Sequence, residues 1–199
     1  LRLDHRTSVS VLAPRELELE RGGLYFDSAG ARADSPPLAI RTDVGTVRDI
    51  GTQFEVRREP ARPEAHFRVR VREGLVTYDN NGTQHDAGAG FELRVDEAGV
   101  VSRHATPLFG PSWEWVLDVA PAFELEGHTL ESFLAWVSRE TGWRTEFTDA
   151  ATAESADTVV LHGSIAGLRP DRALEAVLPT CGLEHRFDNG TLVIEAQAR

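Results

Sequence analysis

The apolar residues of this chain change their period part-way along, and that change limits the folds open to it. From Ser8 to about Val101 they alternate with polar residues, the period of a strand. Leu17 and Leu19 alternate with Glu16, Glu18 and Glu20. Ile50, Thr52, Phe54 and Val56 share one face, with Asp49, Gln53, Glu55 and Arg57 on the other. Phe67, Val69 and Val71 alternate with Arg68, Arg70 and Arg72, and Phe91, Leu93 and Val95 with Glu92, Arg94 and Asp96. Such a pattern buries one face of each strand and leaves the other wet. Turn signals separate the runs at Arg21-Gly22-Gly23, Asp34-Ser35-Pro36-Pro37, Glu59 to Pro63 and Asn80-Asn81-Gly82. Residues 1–108 therefore read as an all-β domain, solenoid-like, barrel or sandwich.

After Thr106 the period lengthens. Pro107, Gly110 and Pro111 form a linker. Leu130, Phe133, Leu134 and Val137 then fall at the spacing of one helical face. Thr129 can cap that helix and Gly142 can end it. Strands are expected at Phe123–Leu125, Arg144–Phe147 and Val159–Ile165. Pro170 opens a second helix with Ala173, Leu174, Val177 and Leu178 inward, and Pro179 and Gly182 close it. Leu183–Phe187 and Leu192–Ile194 are strands joined by Asp188-Asn189-Gly190, a hairpin signal. Residues 109–199 are thus expected to form an α+β domain of β-α-β-β-α-β-β order, with two helices on one face of a sheet.

Composition narrows the chemistry. The net charge of −11 repels phosphate backbones and anionic lipid, so neither nucleic acid nor a membrane surface is an expected partner. The sequence has no Met and opens Leu1-Arg2-Leu3, as a fragment or processed product would; any anchor or address is expected upstream. Cys181 is the single cysteine, so no internal disulfide can form. None of the seven histidines pairs with another at metal-ligand spacing. Gly163-Ser164-Ile165-Ala166-Gly167 sets its serine one place too early for a nucleophile elbow. Gly88-Ala89-Gly90 begins like a dinucleotide fingerprint, but Leu93 holds the third glycine position. Asn81-Gly82-Thr83 and Asn189-Gly190-Thr191 fit the glycosylation pattern, yet Asn-Gly between alternating runs is more simply a type I′ turn. No catalytic, cofactor-binding or metal residue is assigned, and the chain reads as a non-enzyme.

Two stretches carry a specific likeness. The first runs through Gly22-Gly23-Leu24-Tyr25-Phe26-Asp27, Val47 to Gly51-Thr52-Gln53-Phe54-Glu55-Val56, Val71-Arg72-Glu73-Gly74-Leu75-Val76 and Ala87-Gly88. It resembles the FecR domain, whose pattern is G-x-x-Y-F-D, V-x-x-x-G-T-x-F-x-V, V-x-E-G-x-V and a closing A-G turn. Gly23-Leu24 stands where that pattern more often has Glu-Ala. The second stretch spans Phe123 to Ile194. Its marks are Leu130, Phe133-Leu134, Thr141-Gly142-Trp143, Leu161-His162-Gly163, Ala173-Leu174, Val177-Leu178 and Cys181-Gly182-Leu183. It is similar to the short N-terminal domain of secretins and TonB-dependent transducers.

These resemblances imply the periplasmic part of a single-pass inner-membrane regulator that acts on a sigma factor. The implied partner is the N-terminal signalling domain of an outer-membrane transporter for a siderophore or other iron source. No cofactor is implied. The expected contact is an exposed sheet edge or helix face of the α+β domain. Leu192, Val193, Ile194 and Glu195 are the edge candidates. Trp136 and Trp143 are either aromatic anchors or packing for the domain's own core. The rival reading is a periplasmic scaffold whose FecR-like half binds glycan or another ligand without a transporter.

Overall fold

The computed structural model describes residues 1–28 and 36–197, in two compact units, Leu1–Leu108 and Phe109–Arg199. In the first unit the strands are β1 (Arg2–Leu3), β2 (Ser8–Ala13), β3 (Glu16–Asp27), β4 (Ala39–Thr42), β5 (Gly45–Arg58), β6 (Phe67–Asn80), β7 (Thr83–Gly88), β8 (Phe91–Val95) and β9 (Val101–Ala105). They form one mixed sheet, antiparallel except where the start of β3 runs beside β4. Of the expected turn at Asp34-Ser35-Pro36-Pro37, Asp34 and Ser35 lie outside the described residues.

The two longest strands, β5 and β6, shape this unit by bending back on themselves. Phe67 and Tyr78 are eleven residues apart on β6, a span of about 36 Å in an extended strand. Their rings nevertheless meet, with centroids 4.9 Å apart. On β5 the same bend brings Arg58 back to Asp43, with a 2.7 Å hydrogen bond from its Nε. Tyr78 donates its hydroxyl to the Val44 carbonyl at 2.6 Å, and burial pushes the Tyr78 pKa up to about 12. One sheet therefore supplies both layers around a single core. Val47, Val76 and Tyr78 come from one end of the long strands, and Phe54, Val56, Phe67 and Val69 from the other.

The corner is an irregularity in the β5–β6 ladder between Ile50 and Gln53. Gly51 and Gly74 both take positive φ there, +65° and +79°. A Cβ on Gly74 would lie 2.3 Å from the Gly51 carbonyl oxygen, so the two backbones can meet only with glycine at position 74. The Gly-Thr and Glu-Gly of the family pattern are thus the two sides of a bend. The bulge also corrects the expected face of β5. Inserting one residue reverses parity, so Val47 and Asp49 point inward before the corner and Phe54 and Val56 after it. Ile50, expected inside, is 58% exposed. Asp49 is buried because it accepts the Leu38 backbone N–H and faces Arg15 at 3.9 Å.

The polar face of the sheet is also drier than alternation predicts. Register sets Arg57, Arg68 and Arg94 in one row across β5, β6 and β8, and Glu55, Arg70 and Glu92 in the next. Glu55 and Glu92 are each 1% exposed and Arg70 6%. Arg70 joins the two acids, reaching Glu55 at 3.2 Å and Glu92 at 3.0 Å. Arg57 pairs with Glu55 at 2.8 Å and with Asp4 at 2.6 Å. Mutual pairing is what allows these charges to leave water. Period-two alternation marks which residues share a face, and it cannot tell a wet polar face from one closed by ion pairs.

In the second unit, α1 (Glu114–Asp118) precedes α2 (Leu130–Thr141), β10 (Arg144–Phe147), α3 (Ala150–Thr158), α4 (Pro170–Val177), β11 (Leu183–Asp188) and β12 (Thr191–Ala196). Thr129 accepts the Ser132 N–H at 3.2 Å at the start of α2, and Gly142 ends it at φ +78°. Leu130, Phe133, Leu134 and Val137 are buried, as are Ala173, Leu174, Val177 and Leu178. These stripes share one core with Leu183, Leu192 and Ile194 of the sheet. The hairpin turns are as their chemistry demands: Asn81-Gly82 and Asn189-Gly190 all have positive φ.

Besides the short α1 ahead of it, the order of elements departs from β-α-β-β-α-β-β in three places. Phe123–Leu125 is not a strand; the Phe123 ring instead packs on Trp136 and Phe133, at 5.3 and 5.8 Å. Val159–Ile165 reduces to a single bridge, Val160 to Thr129, because the chain turns away at Gly163 with φ +112°. The helix α3 is additional. Its sequence, Ala-Ala-Thr-Ala-Glu-Ser-Ala-Asp-Thr, has no apolar stripe and buries chiefly Ala156 and Thr152, so hydrophobic period could not announce it. Its signal was the cap, Asp149, which accepts the Thr152 N–H at 2.8 Å.

Candidate partner-binding surface

The second unit's sheet has three strands in the order β10-β12-β11. β12 runs parallel to β10 and antiparallel to β11. The expectation that Leu192 to Glu195 form an open edge is therefore corrected. They lie on the central strand, hydrogen-bonded on both sides, and no partner strand can add there. Leu192 and Ile194 are fully buried under α2 and α4, while Val193 and Glu195 are half-buried on the opposite face. A last strand looks like an edge in sequence order. The long-range parallel pairing of Arg144 with Thr191 makes it the centre, and nothing local in the sequence carries that pairing.

The edges are β10 and β11, and β11 is the longer, with six residues. Their backbone groups on the outer side are unpaired within the described sheet, the arrangement that accepts an added strand. β11 also carries aromatic surface. Phe187 is 51% exposed and meets the Trp143 ring, with centroids 4.4 Å apart. His185, two residues back on the same face, meets Phe187 edge-on at 5.3 Å. Burial lowers the His185 pKa from its ordinary value. The strand thus offers a neutral aromatic strip between charged neighbours, Glu184, Arg186 and Asp188.

The two tryptophans are both half-buried against the second core and differ in their neighbours. Trp136 stacks against Phe123 and Phe133, at 5.3 and 5.8 Å, and its buried Nε1–H has no hydrogen-bond partner. Trp143 instead has the exposed Phe187 as its ring neighbour. The reading of the sequence missed Phe187 and His185. The available signal was their alternation with Leu183 up to the Asn-Gly turn, which sets all three on one face with Phe187 beyond the cover of the helices.

Among the described residues no three His, Cys, Asp or Glu side chains group as metal ligands do. No helix among them is long and apolar enough to cross a membrane. Cys181 is half-buried and free.

Residues 1–77 match the family described as FecR protein. Over these residues the first unit is similar to the FecR family. The match covers the strands from β1 to the corner and most of β6, including both glycines of the bend. The remaining strands, β7 to β9, lie beyond it. Two crystal structures of a candidate anti-sigma factor from Parabacteroides distasonis are also similar to the chain, each at 17% identity. One alignment covers 92% of this chain and 80% of the other at a TM-score of 0.44. The second covers 98% and 89% at a TM-score of 0.49. Likeness at that level does not bear on function. No curated protein matches the chain.

Proposed function

We propose that this FecR-type chain is the extracytoplasmic sensor region of a regulator that controls a sigma factor, and that it works by binding protein rather than by catalysis. Its α+β unit receives the signal through the β11 edge, and its partner is the N-terminal signalling domain of an outer-membrane TonB-dependent transporter. One observation carries the choice of surface: an open six-residue edge strand bearing the half-exposed Phe187 against Trp143. A partner strand gains ladder hydrogen bonds there and an aromatic anchor beside them. The family supplies the class of process, and the likeness of residues 123–194 to transducer N-terminal domains supports the partner.

The test is calorimetric titration of the chain with transporter signalling domains from the same genome. Binding to one of them is expected, with Phe187→Asp weakening it at least about tenfold, as loss of an interface anchor does. No heat from any domain, with both partners folded, overturns the reading.

A further inference from the structure

We propose that the first unit holds a binding site for a small organic anion, in the cavity lined by Ala61, Arg62, Pro63, Ala65, Arg68 and Arg94. Its volume is about 520 Å³, enough for a metabolite-sized ligand. All six residues belong to the first unit, so the site does not depend on the transporter reading.

Arg68 is the most weakly compensated charge on this face. Arg57, Arg68 and Arg94 face one another across three neighbouring strands, and like charges directly opposite are unfavourable. Two buried acids, Glu55 and Glu92, are shared among this row and Arg70, and Arg57 has further acids of its own nearby, Asp4 at 2.6 Å and Glu59 at 3.5 Å. Glu55 is held at 2.8 Å by Arg57 and at 3.2 Å by Arg70. Glu92 is held by Arg70 at 3.0 Å and contacts Arg94 directly. Arg68 is left with a 3.5 Å approach to Glu55, and its buried Nε–H has no hydrogen-bond partner. Burial, and then repulsion from Arg70 and Arg57, lowers its pKa, while Glu55 and Glu92 oppose the shift. At the rim, Arg62 pairs with Glu59 at 3.1 Å and is 68% exposed.

Three guanidinium groups therefore surround one concave space, and the innermost has more donors than acceptors. A carboxylate or phosphate group entering there meets planar, multiply donating partners suited to its geometry. Ala61, Pro63 and Ala65 give the rest of the wall an apolar character, which fits an anionic head on a short carbon frame. The chain as a whole carries −11, so long-range attraction is absent and selectivity must come from these contacts.

The test is an NMR titration of the full chain, in separate arms, with inorganic phosphate and with succinate, each against sodium chloride at matched ionic strength. Saturable shifts below about 10 mM, confined to residues 61–68 and the Arg94 region, are expected for one or both probes. Saturation by phosphate alone assigns a phosphoryl ligand, and by succinate alone a carboxylate. The double variant R62Q/R94Q should weaken binding about tenfold, with other spectral changes confined to the neighbours of the two side chains, Glu92 among them. R172Q in the second unit should bind as the parent does. Non-saturating or scattered shifts with both probes, or equal binding by R62Q/R94Q, overturn the proposal.

Discussion

Gly74 stands at the corner of the first unit's sheet with φ +79°, its Cα against the Gly51 carbonyl. Replacing it with Ala adds a methyl 2.3 Å from that oxygen and forces a side chain into the left-handed region. The expected loss for Gly74→Ala is more than about 1 kcal/mol in urea denaturation. Gly51→Ala should cost less, since a Cβ there meets open space and only the strain at φ +65° remains. A second single-residue effect belongs to His185. Burial lowers its pKa, so between that value and about 6.5 the unfolded chain binds the proton more readily than the folded one. The stability that His185 contributes is full above pH 6.5 or so, falls as pH drops through this window, and levels off below the folded value. A histidine-ring NMR titration in the folded chain should give a midpoint below 6.5, and His185→Phe should flatten the stability profile there.

Among elements, the ion-paired face of β5, β6 and β8 is the most exacting. Glu92→Gln takes from the buried Arg70 one of its two acids and from the more exposed Arg94 its direct contact, and an expected cost of about 2 kcal/mol follows, read by urea unfolding. By contrast, Asp149→Ala removes one cap from the short helix α3 and should cost about 1 kcal/mol. What the sequence disclosed at this scale follows from locality. The stripes of α2 and α4, both Asn-Gly hairpins and the alternation of β6 rest on neighbours a few residues apart, and all are present. The face of Ile50, the position of β12 and the dryness of Arg70 depend on partners far along the chain, so local period could not fix them. The surface followed the same division. Trp143 was visible as an isolated large aromatic, whereas its neighbour Phe187 becomes significant only once β11 is known to be the edge.

At the scale of the molecule, each unit owns a separate core, one drawn from Leu17 to Val95 and the other from Leu125 to Ile194. Residues 1–108 and 109–199 are accordingly expected to fold as separate fragments, each giving a cooperative thermal transition by circular dichroism. A fragment that stays unfolded would show that its core is insufficient alone. Within the second unit, Phe133→Ala empties the middle of a fully buried stripe and should cost about 3–5 kcal/mol, enough to unfold a small unit while leaving the first intact.

The central place of β12 also sets the timing of assembly. On a chain made or threaded from its N-terminus, Arg144 must wait for Thr191 before β10 gains a neighbour in the sheet, and β11 too pairs only with β12. By then residues 1–108 are already available to collapse around their own core. The aromatic strip on β11 therefore forms last, so a nascent or clipped chain lacking these final residues lacks the strip as well.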